Sequence, residues 1–394
     1  MTTLIDVQSQ TGDPTRFLSD EQREFVNARR AVCNTCDSKR RLTALTINCR
    51  SCGCAGLSLL NGRCHLGKWP ASMDGVGQIV AVSEVPSSRV ISGGVRREPR
   101  PGRMPIVLRN HQSPGDIVVL TAAVRDLAKA HGDKFDIQID TSCKAIWENN
   151  PYVTVVDSSD DYIAGSRVIK CEYPGIHQSN NRPHHFIQAF AEDLEKKLGV
   201  TIPITAFKGD IHLSEEEKSW TCQVHEQEIG HSGPFWIFMA GGKYDFTTKW
   251  WNPEYAQQVV DHFKGKITFV QCGEAGHWHP PLKGAINMVG KTDLRQFMRL
   301  MYHAEGVVCP VTFAMHAAAA VPTKDGGLRP CVVIAGGREP AHWEQYPGHQ
   351  FLHTIGQLPC CKNGGCWKSR CQKVGDGDEK DRSGLCEMPV EVGE

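Results

Sequence analysis

From residue 105 onward the chain alternates short runs of Val, Ile, Leu and Phe with longer segments whose apolar residues recur every three or four positions. Runs of the first kind suit strands buried on both faces of a parallel sheet, and segments of the second kind supply the helices that cover those faces. IVLRN, KFDIQIDTS, YVTVVDSS and SRVIKCEY read as strands, and AAVRDLAKAH and HHFIQAFAEDLEKKLGV as helices. A second series opens near residue 233 with FWIFMAGG. It continues through the proline-started helix PEYAQQVVDHFKG, the strand KITFVQCGE, and then INMVG, LRQFMRLMYHAEGVVCP, FAMHAAAAVP and RPCVVIAGG. The expected fold class is α/β, with two Rossmann-like domains over residues 104–228 and 229–355. A cysteine-rich segment over 1–75 and a linker over 76–103 precede them, and a cysteine-rich tail over 356–394 follows. At 394 residues the chain can bury a core in each domain.

Lys and Arg number 44, as do Asp and Glu, so no global charge argues for nucleic acid. Arg40 and Arg41 add local positive charge, but aromatic platforms and an extended basic face are missing. The opening MTTLIDVQSQTGDPTRF lacks the apolar core of an export signal, and no later run approaches a membrane span. We therefore expect a cytoplasmic chain without a transmembrane segment.

In parallel α/β sheets the working loops lie beyond the carboxyl ends of the strands. The first such loop, SPGDIVVL, sets Asp116 directly after Gly115 at a helix start placed near Ile117. Two roles fit. An acidic side chain there can cap the free amides of the helix, or it can take a proton from an attacking hydroxyl.

In the second domain Gly241 and Gly242 let the strand end turn, Lys243 and Lys249 can offset phosphate charge, and Thr247 and Thr248 can donate hydrogen bonds. Glu274, after KITFVQCG, can accept hydrogen bonds from a ribose, or it can be ordinary surface. Thr312 and His316 are four residues apart at the entry to a small-residue helix, suited to phosphate or sugar oxygens, or equally to capping and packing. In the first domain Tyr173, His177, Asn180, Asn181, Arg182, His184 and His185 offer a polar wall for an acceptor.

SPGDIVVLTAAVRDL, AGGKYDFTTKWW and VTFAMHAAAAV together resemble the glycosyltransferase family of bacterial ADP-heptose lipopolysaccharide heptosyltransferases. The resemblance implies a GT-B architecture, with two Rossmann-like domains facing a cleft and the nucleotide sugar mainly on the second. It implies Asp116 as the catalytic base, Lys249 with Lys243 as phosphate contacts, Glu274 as a nucleotide contact, and Thr312 and His316 in the donor-binding turn. The family often carries an acidic residue immediately before that threonine, where this chain has Val311. The implied reaction is inverting transfer from a nucleotide diphosphate sugar, an ADP-sugar among the candidates, without a catalytic divalent ion. The acceptor would be a hydroxyl of a glycan, lipid headgroup or protein, and the enzyme could be a homo-oligomer.

Seventeen cysteines fall into two clusters and six singletons. Cys33, Cys36, Cys49 and Cys52 form paired C-x2-C knuckles with Cys54 and Cys64 close behind, a pattern for structural zinc, with an iron centre or Fe–S cluster as alternatives. Cys360, Cys361, Cys366, Cys371 and Cys386 form the second group. Protein-modifying relatives within the same wider family are similar in carrying an iron-bearing cysteine segment near the C-terminus, which implies iron or zinc clipping this tail to the body. The singletons Cys143, Cys171, Cys222, Cys272, Cys309 and Cys331 read as buried thiols. Two other classes stay open on the sequence: a metal-stabilised nucleotide- or protein-binding module that kept a transferase fold, and a nucleotide-dependent oxidoreductase. The second lacks a G-x-G-x-x-G fingerprint after the first strand.

Overall fold

The computed structural model describes residues 99–226, 231, 233–371 and 384–386, with the backbone of three short strands nearer the N-terminus. The chain divides into two units, Met1–Gly93 and Gly94–Glu394. In the first, β1 (Lys39–Leu42), β2 (Thr46–Cys49) and β3 (Leu57–Ser58) form an antiparallel sheet in that order, with Leu42 opposite Ile47 and Ile47 opposite Leu57. The side chains of the Cys33–Cys64 cluster lie outside the described residues, so the expected N-terminal metal site does too.

The second unit holds two parallel sheets. The first runs through β4 (Met104–Asn110), α1 (Pro114–His131), β5 (Phe135–Thr141), β6 (Thr154–Val156), β7 (Arg167–Lys170) and α2 (Phe186–Leu198), with sheet order β6-β5-β4-β7. Ile106 pairs with Ile137, and Leu108 with Ile139 and Ile169, so the central strand is apolar toward both helical layers. Short helices α3 (Glu215–Ser219) and α4 (Gln223–Glu226) lead to the second sheet. It comprises β8 (Phe235–Phe238), α5 (Pro253–His262), β9 (Thr268–Gln271), β10 (Ile286–Asn287), α6 (Leu294–His303), β11 (Gly306–Pro310), α7 (Phe313–Ala320), β12 (Cys331–Gly336), α8 (Ala341–Glu344) and β13 (His349–His353). Its order is β10-β9-β8-β11-β12-β13, all parallel.

α1 is the element that joins the lobes. Residues Ile117 to Leu127 are buried on every face, because the helix lies between its own sheet and α7 of the second lobe. The alanines of α7 permit that close approach, and Gly209 fits where a Cβ would fall 2.6 Å from Val118 and 2.8 Å from Ala320. One apolar core therefore runs from Ile106 and Leu120 through Ala314 and Ala317 to Val333. Of the six single cysteines, five are buried and Cys143 is half-buried. Among the described residues no helix is long and apolar enough to cross a membrane.

Candidate active site

The first helix starts earlier than its apolar periodicity suggested. Pro114 occupies the first turn, where its fixed φ suits a helix and its missing N–H costs nothing, so the helix opens at Pro114 rather than near Ile117. Asp116 thereby falls inside the first turn. Its Oδ2 accepts from the Ser113 amide at 3.1 Å and from the Tyr173 hydroxyl at 3.2 Å. The capping role is therefore real, and it leaves the carboxylate at the seam of the two lobes. Tyr173 holds a left-handed φ of 36°, a conformation that a bulky residue keeps only where its surroundings enforce it. Burial pushes the Asp116 carboxyl above its ordinary value, while Lys249, the Tyr173 and Ser113 hydrogen bonds and Lys243 oppose the shift. Desolvation outweighs those attractions and gives the group more basicity than a solvated aspartate.

The second lobe brings its lysines to this carboxylate. Gly241 is required by close approach more than by a turn, since a Cβ there would lie 1.7 Å from the Trp278 carbonyl oxygen. Gly242 and Trp278 exchange backbone hydrogen bonds of 3.0 Å, and Trp250 stacks on Trp278 at 4.2 Å. This brace sets the course of the following segment. Lys243 reaches across the seam to within 3.5 Å of the Ser113 hydroxyl. Lys249 pairs with Glu339 at 2.8 Å and lies 5.6 Å from the centre of the Phe246 ring.

His316 stands behind Asp116. Its Nδ1 is 2.7 Å from the Tyr346 hydroxyl, and its ring lies against Gly115, where a Cβ would fall 2.8 Å from Cδ2. Burial, with Lys249, His185 and His349 nearby, takes the imidazole down to about 3. Glu344 lies 3.6 Å from His316 Nε2, and burial with the neighbouring Glu339 and Asp116 carboxylates pushes it up to about 8, against Lys249 and Arg338. At neutral pH the imidazole is neutral and Glu344 largely keeps its proton, so their contact is not an ion pair.

The other expected residues lie elsewhere. Glu274 is exposed at the rim, 3.5 Å from His277, and the Cys143 thiol feels both Lys243 and Glu274. Thr312 occupies the N-cap position of α7 without a side-chain capping hydrogen bond, and its hydroxyl lies beside the Cys309 thiol. Thr247 accepts from the Cys371 amide at 3.0 Å, and the Thr248 hydroxyl meets the Lys368 and Ser369 carbonyls at 3.0 Å each, so both face the C-terminal tail. The polar wall foreseen for an acceptor is largely occupied too. Asn180 exchanges two 2.8 Å hydrogen bonds with Gly365, Arg182 and His184 both engage Glu192, and buried His185 caps α2. Sequence reasoning missed Arg338, Glu339, Glu344 and Tyr346. They come from the far end of the second domain, in a stretch with no pattern that marks a site.

The tail crosses from one lobe to the other. Trp367 donates to the Ser179 hydroxyl at 3.1 Å, and its backbone amide donates to the Arg338 carbonyl at 3.0 Å. Within it, Cys361 donates to the carbonyls of Thr354 and Leu358, and Cys371 to that of Thr247, while Cys360 lies beside Cys386. Burial raises Cys360, and the nearby Cys366, Cys386 and Cys361 thiols add to the shift. Among the described residues no three His, Cys, Asp or Glu side chains are placed to hold a metal ion.

Two parallel sheets with an acidic side chain and two lysines at their seam define an α/β protein with a polar interlobe site. Residues 177–328 match the model of glycosyltransferase family 9 (heptosyltransferase). The chain is similar to a solved family 9 glycosyltransferase from Veillonella parvula, at 16% identity and a TM-score of 0.49, over 73% of this chain and 95% of that one. It is similar to the E. coli ADP-heptose LPS heptosyltransferase II at 16% identity and 0.45, over 63% and 90%. It is also similar to TibC, an iron-containing dodecameric glycosyltransferase from enterotoxigenic E. coli, at 16% and 0.46, over 71% of each chain. No curated protein matches the chain.

Proposed function

We propose that the protein is an inverting GT-B glycosyltransferase in which Asp116 is the general base. The acceptor hydroxyl gives its proton to a carboxylate oxygen of Asp116 as its oxygen bonds to the anomeric carbon. The bond from that carbon to the leaving phosphate oxygen breaks, and a nucleoside diphosphate departs. Lys249 and Lys243 offset the charge that grows on the leaving group, and because they are held in place they need little reorganisation as the bond breaks. No step requires a metal ion.

The observation that carries this reading is the position of Lys249, the strongest opposing charge on a buried Asp116 carboxyl although the two residues belong to different lobes. A base and a phosphate cation at one seam are what direct displacement needs. The donor is a nucleotide diphosphate sugar, ADP-heptose being the first to test, and the acceptor a hydroxyl of a glycan, lipid headgroup or protein. Incubation of the full-length protein with nucleotide sugars and such acceptors, with mass spectrometry of the intact product, tests it. Asp116→Asn is expected to cut product formation at least about a hundredfold while donor binding persists. Nucleotide binding without any transfer would favour a binding module in its place.

A further inference from the structure

An open cleft of about 520 Å³ lies at the far end of α1 from Asp116, between the last turn of that helix, the turn that leads into β4, and Pro151 with Tyr152. Asp116 and Lys129 stand in the first and last turns of this 18-residue helix, roughly 20 Å apart at about 1.5 Å per residue, so the cleft is no part of the interlobe seam. Its volume is that of a site for a small molecule.

One wall of the cleft is held rigidly. Arg100 to Arg103 form a β-turn with Pro101 and Gly102 at its centre: the Arg103 amide donates to the Arg100 carbonyl at 3.0 Å, and Gly102 takes the φ of 76° that its place in the turn demands. Buried Asp136 pins the turn from beneath, its Oδ2 accepting from the Arg100 amide at 2.9 Å and its Oδ1 lying 3.4 Å from the Arg100 guanidinium. Arg103 lines the cleft from this turn and Lys129 from the helix, and neither has an acidic partner among the described residues. A lysine in a last helical turn also offsets the helix dipole, but the Arg103 guanidinium has no such role. Arg100, Arg103 and Lys129 outnumber the carboxylates of Asp133 and Asp136, which leaves the cleft net positive, while Ala128, Phe135, Ile137 and Pro151 give it an apolar side. Two cations without partners are free to make charge-assisted hydrogen bonds to an oxyanion.

We propose that this cleft is a second ligand site, which binds a small organic oxyanion: a phosphate or carboxylate carried on a ring or short apolar body. The oxyanion meets Arg103 and Lys129, and the body lies against Phe135, Ile137 and Pro151. The site stands independently of the transferase reading above.

The test is isothermal titration of the full-length protein with phenyl phosphate, benzoate, inorganic phosphate and benzyl alcohol. Phenyl phosphate or benzoate should bind, the tighter of the two naming the head group. Inorganic phosphate and benzyl alcohol, each keeping only one half of the interaction, should bind at least about tenfold more weakly. Arg103→Gln combined with Lys129→Gln should weaken the organic anion at least about tenfold, the scale of a lost hydrogen bond to a charged group. Ala130→Trp, on the exposed rim, should obstruct the cleft without changing its charge. Lys249→Ala, at the seam, should leave this binding as it was. Near-UV circular dichroism checks that the variants keep their packing. If binding is lost in Lys249→Ala and survives the Arg103 and Lys129 changes, the ligand sits at the seam and the proposal is wrong. It is equally wrong if neither organic anion binds the wild type, or if inorganic phosphate binds as tightly as phenyl phosphate.

Discussion

The imidazole of His316 rests against Gly115, so near that a methyl group on that glycine would meet its Cδ2 at 2.8 Å. The ring cannot easily retreat, because its other face is tied to the Tyr346 hydroxyl at 2.7 Å. Gly115→Ala should therefore move the start of α1 and Asp116 with it. Overpacking of this kind costs about 1–3 kcal/mol, and misplacing a reacting group by about 1 Å costs on the order of a hundredfold in rate. Urea unfolding together with turnover checks both. A variant with wild-type turnover would show that the contact does not set the position of the base.

Tyr173 should tune that base. Its hydroxyl donates to Asp116 Oδ2 and thereby favours the ionised carboxylate. In Tyr173→Phe the carboxyl value rises further, so a larger fraction is protonated at a given pH. A base must be ionised to act, and the acid limb of the kcat/KM profile should move to higher pH with the plateau reduced. Lys249→Ala should shift the same limb in the same direction and weaken the donor as well. A limb that stays in place in both variants would dissociate it from Asp116.

Much of this was legible in the sequence because its causes are local. Periodicity marked β4, α1 and the strands of both sheets apart from the edge strand β13, and SPGD placed an acidic residue at a strand-to-helix turn. The helix start was misjudged since Pro114 and Gly115 carry no apolar signal, although proline in a first turn is itself a start signal. Glu339 and Glu344 could not be seen: a carboxylate becomes special through burial and neighbours, and theirs come from residues 116, 249 and 338. Thr248 shows the converse, a hydroxyl in a phosphate-like setting whose partners are tail carbonyls.

Buried histidines should set the acid side of stability. Burial takes His185, His279 and His303 down to about 4 and His316 to about 3, from an ordinary 6.5. Between these values the unfolded chain binds more protons than the folded one, so this contribution is complete above 6.5 and is lost as pH falls toward 4. Glu344 has the opposite sign. With its folded value near 8 against an ordinary 4.5, the folded state holds the extra proton, and stability declines as pH rises between those limits. Urea midpoints should peak near pH 6.5, and Glu344→Gln should flatten the decline from there to pH 8. An unchanged slope in that variant would contradict the assignment of the proton.

The tail should hold the lobes together through Asn180. Its side-chain amide donates to the Gly365 carbonyl and accepts from the Gly365 amide, both at 2.8 Å, while Trp367 grips Ser179 and Thr248 binds the segment to the second lobe. The glycines are needed there: a Cβ at Gly364 would lie 2.5 Å from Asn180 Oδ1, and one at Gly365 would lie 2.4 Å from the Arg338 carbonyl oxygen. Asn180→Ala removes one anchor and leaves the Gly365 groups without partners, a loss of about 1–3 kcal/mol. Because the strap also positions Arg338, proteolysis of residues 356–371 should quicken as the urea midpoint falls. A drop in stability with unchanged cleavage would place the effect in the first lobe alone and remove the tail as its clasp.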